Sequence, residues 1–308
     1  MIDDDNGLST LISSAEPQRI CTGHIFTEGP VWIPADDCLL FTDIPAHRIH
    51  RWRPDERTAE VYRAESGYAN GLTLDAAGDL IACEHRNRRV SRSPYVVDGE
   101  PTTSPDAGGS ATVADRFQGS RFNSPNDVVV GDDEVIWFTD PTYGLDKPTE
   151  GGLGEPKEMP CQGVYRVTAA GAITRVVDDF TQPNGLCFSP DRSILYVNDS
   201  HEGFVRRFTV EADGKLGGGE LFVDMRNDRR QGVPDGMKVD EAGRLWSTGP
   251  GGVWVVAPNG ALLGVLRIPE GTANCCFGGT DFSTLYVTAF TSVYRIETTV
   301  RGIAPGSR

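Results

Sequence analysis

The chain has 308 residues, with 29 basic against 44 acidic side chains, a formal net charge of −15, and 38% hydrophobic and 8% aromatic content. That is enough apolar material for one large core, while a pI near 4.7 sets the chain against phosphate backbones and anionic lipid, so neither nucleic acid nor membrane is expected as a partner. No apolar run reaches the roughly eighteen residues of a spanning helix, Met1 to Ala15 lacks the basic start and apolar stretch of a secretory leader, and seven cysteines without a C-x-x-C pair read as reduced thiols of a cytoplasmic protein.

Residues 1–17 read as a flexible tail on a single domain spanning 1–308. Next comes a short strand, Arg19-Ile-Cys-Thr22, with no hairpin partner of its own. From residue 28 a pattern repeats six times. It opens on a side-chain oxygen followed by an apolar run: Glu28-Gly-Pro-Val-Trp, Asn70-Gly-Leu-Thr-Leu, Asn126-Asp-Val-Val-Val, Asn184-Gly-Leu-Cys-Phe, Asp235-Gly-Met-Lys-Val and Asn274-Cys-Cys-Phe. After a polar turn a second apolar run follows, such as Leu39-Leu-Phe-Thr42 or Ile194-Leu-Tyr-Val197. The residue just past that run is Asp43, Glu84, Asp140, Asp199, Gly249 or Ala289, at offsets of 15, 14, 14, 15, 14 and 15 from the openings. Such constancy is what a repeated β-hairpin of fixed length requires.

The openings lie 42, 56, 58, 51 and 39 residues apart, the period of a four-stranded propeller blade with variable loops. The fold class is therefore all-β, a six-bladed β-propeller with four antiparallel strands per blade. Outer strands fit at Gly163–Val167, Ile173–Val177, Gly252–Val256 and Leu262–Leu266. The last repeat holds only Ser292–Ile296 before the chain ends, so the strand at Arg19–Thr22 is expected to complete it and close the ring without a free edge. Pro94 to Ser120, rich in Ser, Thr, Asp and Gly, reads as an irregular excursion between blades two and three.

In a propeller the first strand of each blade lines the central channel, so the six openings form a ring at one mouth: Glu28, Asn70, Asn126, Asn184, Asp235 and Asn274. Two carboxylates and four amides are hard oxygen donors suited to one divalent cation, Ca²⁺ or Mg²⁺, and the absence of His and Cys argues against a dedicated zinc cage. The alternative is that Asn-Gly and Asp-Gly merely serve tight turns. Glu28 breaks the turn preference while keeping the oxygen, which favours a ligand role. The repeated Asp43, Asp140 and Asp199 read as turn caps accepting backbone N–H bonds, and the arginines 86, 88, 89 and 92 as a solvated face. Adjacent Cys275 and Cys276 read as packing residues.

The strings Thr27-Glu-Gly-Pro-Val-Trp32, Asn123-Ser-Pro-Asn-Asp127, Trp137-Phe-Thr-Asp-Pro-Thr-Tyr-Gly144, Gln182-Pro-Asn-Gly-Leu186 and Pro234-Asp-Gly-Met237, taken together, resemble the regucalcin/gluconolactonase family over about residues 22–301. That resemblance implies a six-bladed propeller with one divalent metal at the channel mouth and, in many members, hydrolysis of sugar lactones. The family's metal ligands fall on Glu28, Asn184 and Asp235. Its asparagine contacting metal or substrate falls on Asn126, and its basic substrate contact falls nearest to Arg121. Membership does not fix the substrate, because relatives include phosphotriester hydrolases and lactonases acting on other rings.

The expected chemistry is attack by water on a lactone carbonyl polarised by the metal, Ca²⁺ first with Mg²⁺, Mn²⁺ or Zn²⁺ as alternatives, and Asp235 as general base. Attack by Asp235 itself is the minority version. Loops returning to the same mouth carry His47, His85, Tyr143 and His201 as candidate substrate contacts, His85 and His201 foremost among the histidines. A phosphotriester hydrolase on the same ring and a non-catalytic calcium-binding propeller are the competing readings. The expected partner is a small-molecule lactone, and a monomer suffices.

Overall fold

A computed structural model of the protein describes residues 1–14, 16–96, 110–146, 148, 151–152, 154–306. Six antiparallel sheets form the blades of a propeller. Blade 1 runs through Thr27–Ile33, Cys38–Asp43, Arg48–Trp52 and Glu60–Ala64. Blade 2 follows with Ala69–Leu74, Leu80–Glu84, Arg89–Ser93 and Ala111–Ala114. Blade 3 is Val128–Val130, Ile136–Asp140, Gln162–Val167 and Ile173–Phe180, and blade 4 is Pro183–Phe188, Ile194–Asp199, Phe204–Val210 and Leu216–Asp224. Met237–Val239, Leu245–Gly249, Gly252–Val256 and Leu262–Leu266 make blade 5. In blade 6, Thr272–Gly278, Thr284–Ala289 and Ser292–Glu297 are completed by Gln18–Thr22, whose register sets Thr22 opposite Ser292. The closing strand is therefore where the sequence places it.

Two segments differ from expectation. Residues 1–14 are packed against the ring rather than loose. Ile2 and Asp3 add a fifth strand to blade 5 opposite Leu266 and Val265, and Leu8 is fully buried among Val253, Leu266 and Leu285. The short apolar pairs Met1-Ile2 and Leu8 with Leu11-Ile12 supply that contact. The stretch Pro94 to Ser120 contains the outer strand of blade 2, Ala111–Ala114, and part of a two-stranded ribbon, Arg116–Phe117 with Ser120–Arg121. Its polar composition hides that edge strand, whose residues are largely exposed. Residues 97–109 of the same stretch lie outside the described residues.

The core is divided into six clusters, each between two neighbouring blades. Trp32, Phe41, Trp52 and Tyr286 fill the wedge between blades 6 and 1, for example, and Phe122, Phe138 and Tyr165 the wedge between blades 2 and 3. Alternation along each strand sends one set of side chains to the blade ahead and the other to the blade behind. All seven cysteines are free thiols, six of them buried. Among the described residues no helix is long and apolar enough to cross a membrane.

Candidate functional site

The inner ends of the blades are joined by a repeated hydrogen bond. A second-strand hydroxyl or amide donates to the carbonyl at the start of the next blade: Thr42 Oγ1 to Asn70 O at 3.2 Å, Thr139 Oγ1 to Asn184 O at 2.7 Å, Asn198 Nδ2 to Asp235 O, and Thr248 Oγ1 to Ala273 O at 2.9 Å. Between blades 2 and 3 the link is backbone, Gly71 N to Asn126 O at 2.8 Å. These approaches explain the glycine that follows so many openings. A Cβ on Gly29 would lie 1.9 Å from Asn70 O, and one on Gly185 would lie 2.1 Å from Asp235 O. Gly185 is not in the left-handed region, so its role is close approach rather than turn formation.

This stitching brings Glu28, Asn70, Asn126, Asn184 and Asp235 to the wall of one cavity of about 300 Å³ at the channel mouth. The sixth opening, Asn274, serves the others. Its Nδ2 donates to Glu28 Oε2 at 2.9 Å and its Oδ1 accepts from Cys275 N at 2.8 Å, so both ends of its amide are engaged in holding Glu28 and the strand. Asn184 donates Nδ2 to Ser200 Oγ at 3.0 Å, which leaves its carbonyl oxygen for a ligand. Asn70 Nδ2 lies 3.4 Å from His85 Nε2.

Glu28 is almost fully buried and also accepts the N–H of Gly29 at 2.8 Å. Burial pushes its carboxyl up to about 7, the charge of Asp127 adds to the rise, and Gly29, Asn274 and the Lys238 ammonium pull the other way. Asp127, also buried, is raised by burial and held back by Lys238. Burial opposes the charge on Lys238, but Asp127 and the channel thiols outweigh it and raise its affinity for the proton. The channel beneath the ring thus carries two buried titratable groups, Asp127 and Lys238, that the repeat pattern does not single out. Asp127 follows the opening Asn126 and replaces the glycine found in four other repeats, the one signal that could have marked it.

Of the proposed substrate contacts, Tyr143 lines the cavity, on the single helical turn Tyr143–Asp146. His85 is buried against Gly144 of that turn and does not line the cavity itself, but it stands behind the wall residue Asn70. His201 is exposed outside the cavity and His47 accepts from Gly67 N at 3.1 Å. Arg121 is also not part of the wall: its guanidinium lies 3.4 Å from Asn87 O and 3.7 Å from Glu155. The arginine stretch is no solvated face, since Arg88 is buried, donates to Phe122 O at 2.6 Å and pairs with Glu155 and Glu158. Sequence reasoning missed the apolar half of the wall, Phe26, Ile44, Val233 and Phe290. These residues precede an opening or follow a hairpin end by one or two positions, so their place was readable once the ring was drawn.

The hairpin-end acids are caps, as expected. Asp43 accepts the N–H groups of Ile25 and Phe26, Asp140 those of Asn123 and Ser124, and Asp199 those of Thr181 and Gln182. Each fixes the loop that delivers the following first strand, and with it the ring residue. In blade 2 the equivalent Glu84 instead binds Arg89 and Ser91.

The family described as SMP-30/Gluconolactonase/LRE-like region matches residues 26–291. The chain is 30% identical to a gluconolactonase of Zymomonas mobilis over 96% of its own length and 85% of the relative's. It is 33% identical to a pentonolactonase of Haloferax volcanii over 85% and 80%. The structure of a Xanthomonas campestris gluconolactonase superposes with a TM-score of 0.85 at 33% identity, covering 96% of this chain and 94% of that one. With its fold, its ring of opening residues and this match over most of its length, the chain belongs to the SMP-30/gluconolactonase/LRE-like family.

Proposed function

We propose that this protein hydrolyses an uncharged sugar lactone at the channel mouth, with Asp235 as general base and a divalent cation, Ca²⁺ first, held by Glu28, Asn126, Asn184 and Asp235. One observation carries the reading: oxygen donors from four different blades converge on a single cavity with no Lys or Arg among the described residues of its wall. The donor set fits a hard cation, because every candidate ligand is an oxygen and the buried Glu28 lies close enough to Asp127 for their charges to repel. The lactonase names of the relatives support the same reaction class.

When bound, the cation would polarise the lactone carbonyl and stabilise the negative charge that develops on its oxygen. The chain's own residues do the rest. Asp235 takes a proton from the attacking water as its oxygen bonds to the carbonyl carbon, and returns a proton to the ring oxygen as the ester C–O bond breaks. Glu28 is kept fixed by Gly29 and Asn274. Tyr143 offers a hydroxyl to the sugar, Ser200 holds Asn184 in place between that amide and Pro234 O, and Phe26, Ile44, Val233 and Phe290 present an apolar face and limit water on that side. The product is a hydroxy acid, which releases a proton at neutral pH.

Proton release from glucono-1,5-lactone above the spontaneous background tests this, using protein stripped by chelator and resupplied with Ca²⁺, Mg²⁺, Mn²⁺ or Zn²⁺. Restoration by metal supports the proposal. Calorimetric ion binding without hydrolysis of this or other aldonolactones, or turnover confined to phosphotriesters, overturns it.

A further inference from the structure

A second cluster of ligating side chains lies away from the channel, where blade 1 meets the closing strand of blade 6. Asp43 and His50 sit on the second and third strands of blade 1, and His24 follows the closing strand Gln18–Thr22. His24 Nδ1 is 3.6 Å from Asp43 Oδ2, the rings of His24 and His50 are 4.6 Å apart, and one ligand atom from each of the three residues falls within 4.8 Å of the others. His50 is 6% exposed, and neither of its ring nitrogens makes a hydrogen bond of normal geometry. Burying an imidazole in that state is unfavourable, and a structural core histidine normally avoids it by finding a partner.

We propose that His24, Asp43 and His50 form a metal site for a transition-metal ion of the zinc class, separate from the oxygen ring and independent of the lactonase reading. Two imidazoles and one carboxylate are donors that zinc-class ions prefer, and the ring of opening residues has no imidazole. Tetrahedral bonds of about 2.0–2.2 Å place ligand atoms roughly 3.3–3.6 Å apart. The His24–Asp43 pair already has that separation, and His50 reaches it by a small ring rotation.

The supporting contacts are those of an oriented site. Asp43 is anchored by the N–H groups of Ile25 and Phe26 at 3.1 and 3.2 Å. His50 is stacked on Phe41 at 5.4 Å, with the Glu60 carbonyl as the one backbone group bearing on its ring. His24 also lines a surface cleft with Arg19, Thr22 and Arg57, which gives an ion a route in. The arginines there suit an anion or hydroxide as the fourth ligand.

The test uses calcium-loaded protein freed of transition metals, titrated with zinc sulfate and read by metal content and zinc-edge X-ray absorption. The expected result is one zinc per chain with two imidazole ligands, a signature the oxygen ring cannot give. His50→Gln and His24→Ala should each weaken zinc binding by more than about tenfold while calcium-dependent hydrolysis is retained. His24 is on the surface side, so His24→Ala decides the matter if the buried substitution fails to fold. Zinc bound through oxygen ligands only, or with undiminished affinity in His24→Ala, overturns the site.

Discussion

In the proposed reaction Asp235 combines two demands at one atom pair, holding a cation and accepting a proton. The conservative change Asp235→Asn keeps the size and the carbonyl oxygen but removes the base. Turnover should fall by roughly 10²–10⁴-fold while the melting temperature changes little, and an undiminished rate in a pH-stat assay would exclude Asp235 as the base. Glu28 makes a prediction about pH. Its carboxyl sits at about 7 in the folded protein without metal and near 4.5 when unfolded. Between those values the native state keeps a proton that the unfolded chain has lost, so metal-free protein loses stability as pH rises through that window. Asp127 is shifted in the same direction, and Lys238 stays protonated throughout. Thermal melts in chelator should therefore fall between about pH 5 and 7.5, and added calcium should raise the melting temperature more at pH 8 than at pH 5. At this scale the ring was legible because its oxygens recur at a fixed place. The place of His85 was less legible, because at the hairpin end a residue one position along can turn inward under Gly144, behind Asn70, instead of facing the mouth.

The element that matters is the inner hairpin, and its precision comes from contacts between blades rather than within them. Gly185→Ala should show this. The added Cβ would meet Asp235 O, just ahead of the strand Met237–Val239, at 2.1 Å and Asn198 Nδ2, on the strand Ile194–Asp199, at 3.0 Å. A cost of about 1–3 kcal/mol is expected, with a fall in kcat larger than the stability loss explains, because Asp235 itself must move. Thr139→Val removes the hydroxyl that donates to Asn184 O and accepts from Asp127 N at 3.2 Å. It should lower stability by about 1–3 kcal/mol and weaken calcium binding in the same calorimetric titration. Hairpins were readable from sequence because both strands are buried and apolar. The fourth strand of blade 2 was not, since Ala111–Ala114 is an exposed edge with no pattern to betray it.

Across the whole molecule, closure depends on the N-terminal strand. Removing residues 1–22 would strip the partner from Ser292–Glu297 and uncover Tyr294 and Val293 beside an open row of backbone groups. Such a chain should aggregate on heating and elute from size exclusion as higher-order species, whereas removing residues 1–6 should cost only the short strand on blade 5 and leave hydrolysis intact. That the ring closes was inferable from a missing strand at one end and a spare one at the other. The packing of Leu8 under blade 5 was not, because one leucine and a few flanking apolar residues make no periodic signal.

The strand Gln18–Thr22 and its partner Ser292–Glu297 are separated by almost the entire chain. During synthesis the first of these emerges early and finds nothing to pair with until the last blade leaves the ribosome. Five blades can form in order behind it, each on its neighbour, but the mouth that gathers Glu28 with Asn274 exists only after the final forty or so residues have been translated. The proposed activity therefore requires the sixth blade, and a chain cut short within it would carry the four proposed ligands Glu28, Asn126, Asn184 and Asp235 without the geometry to use them.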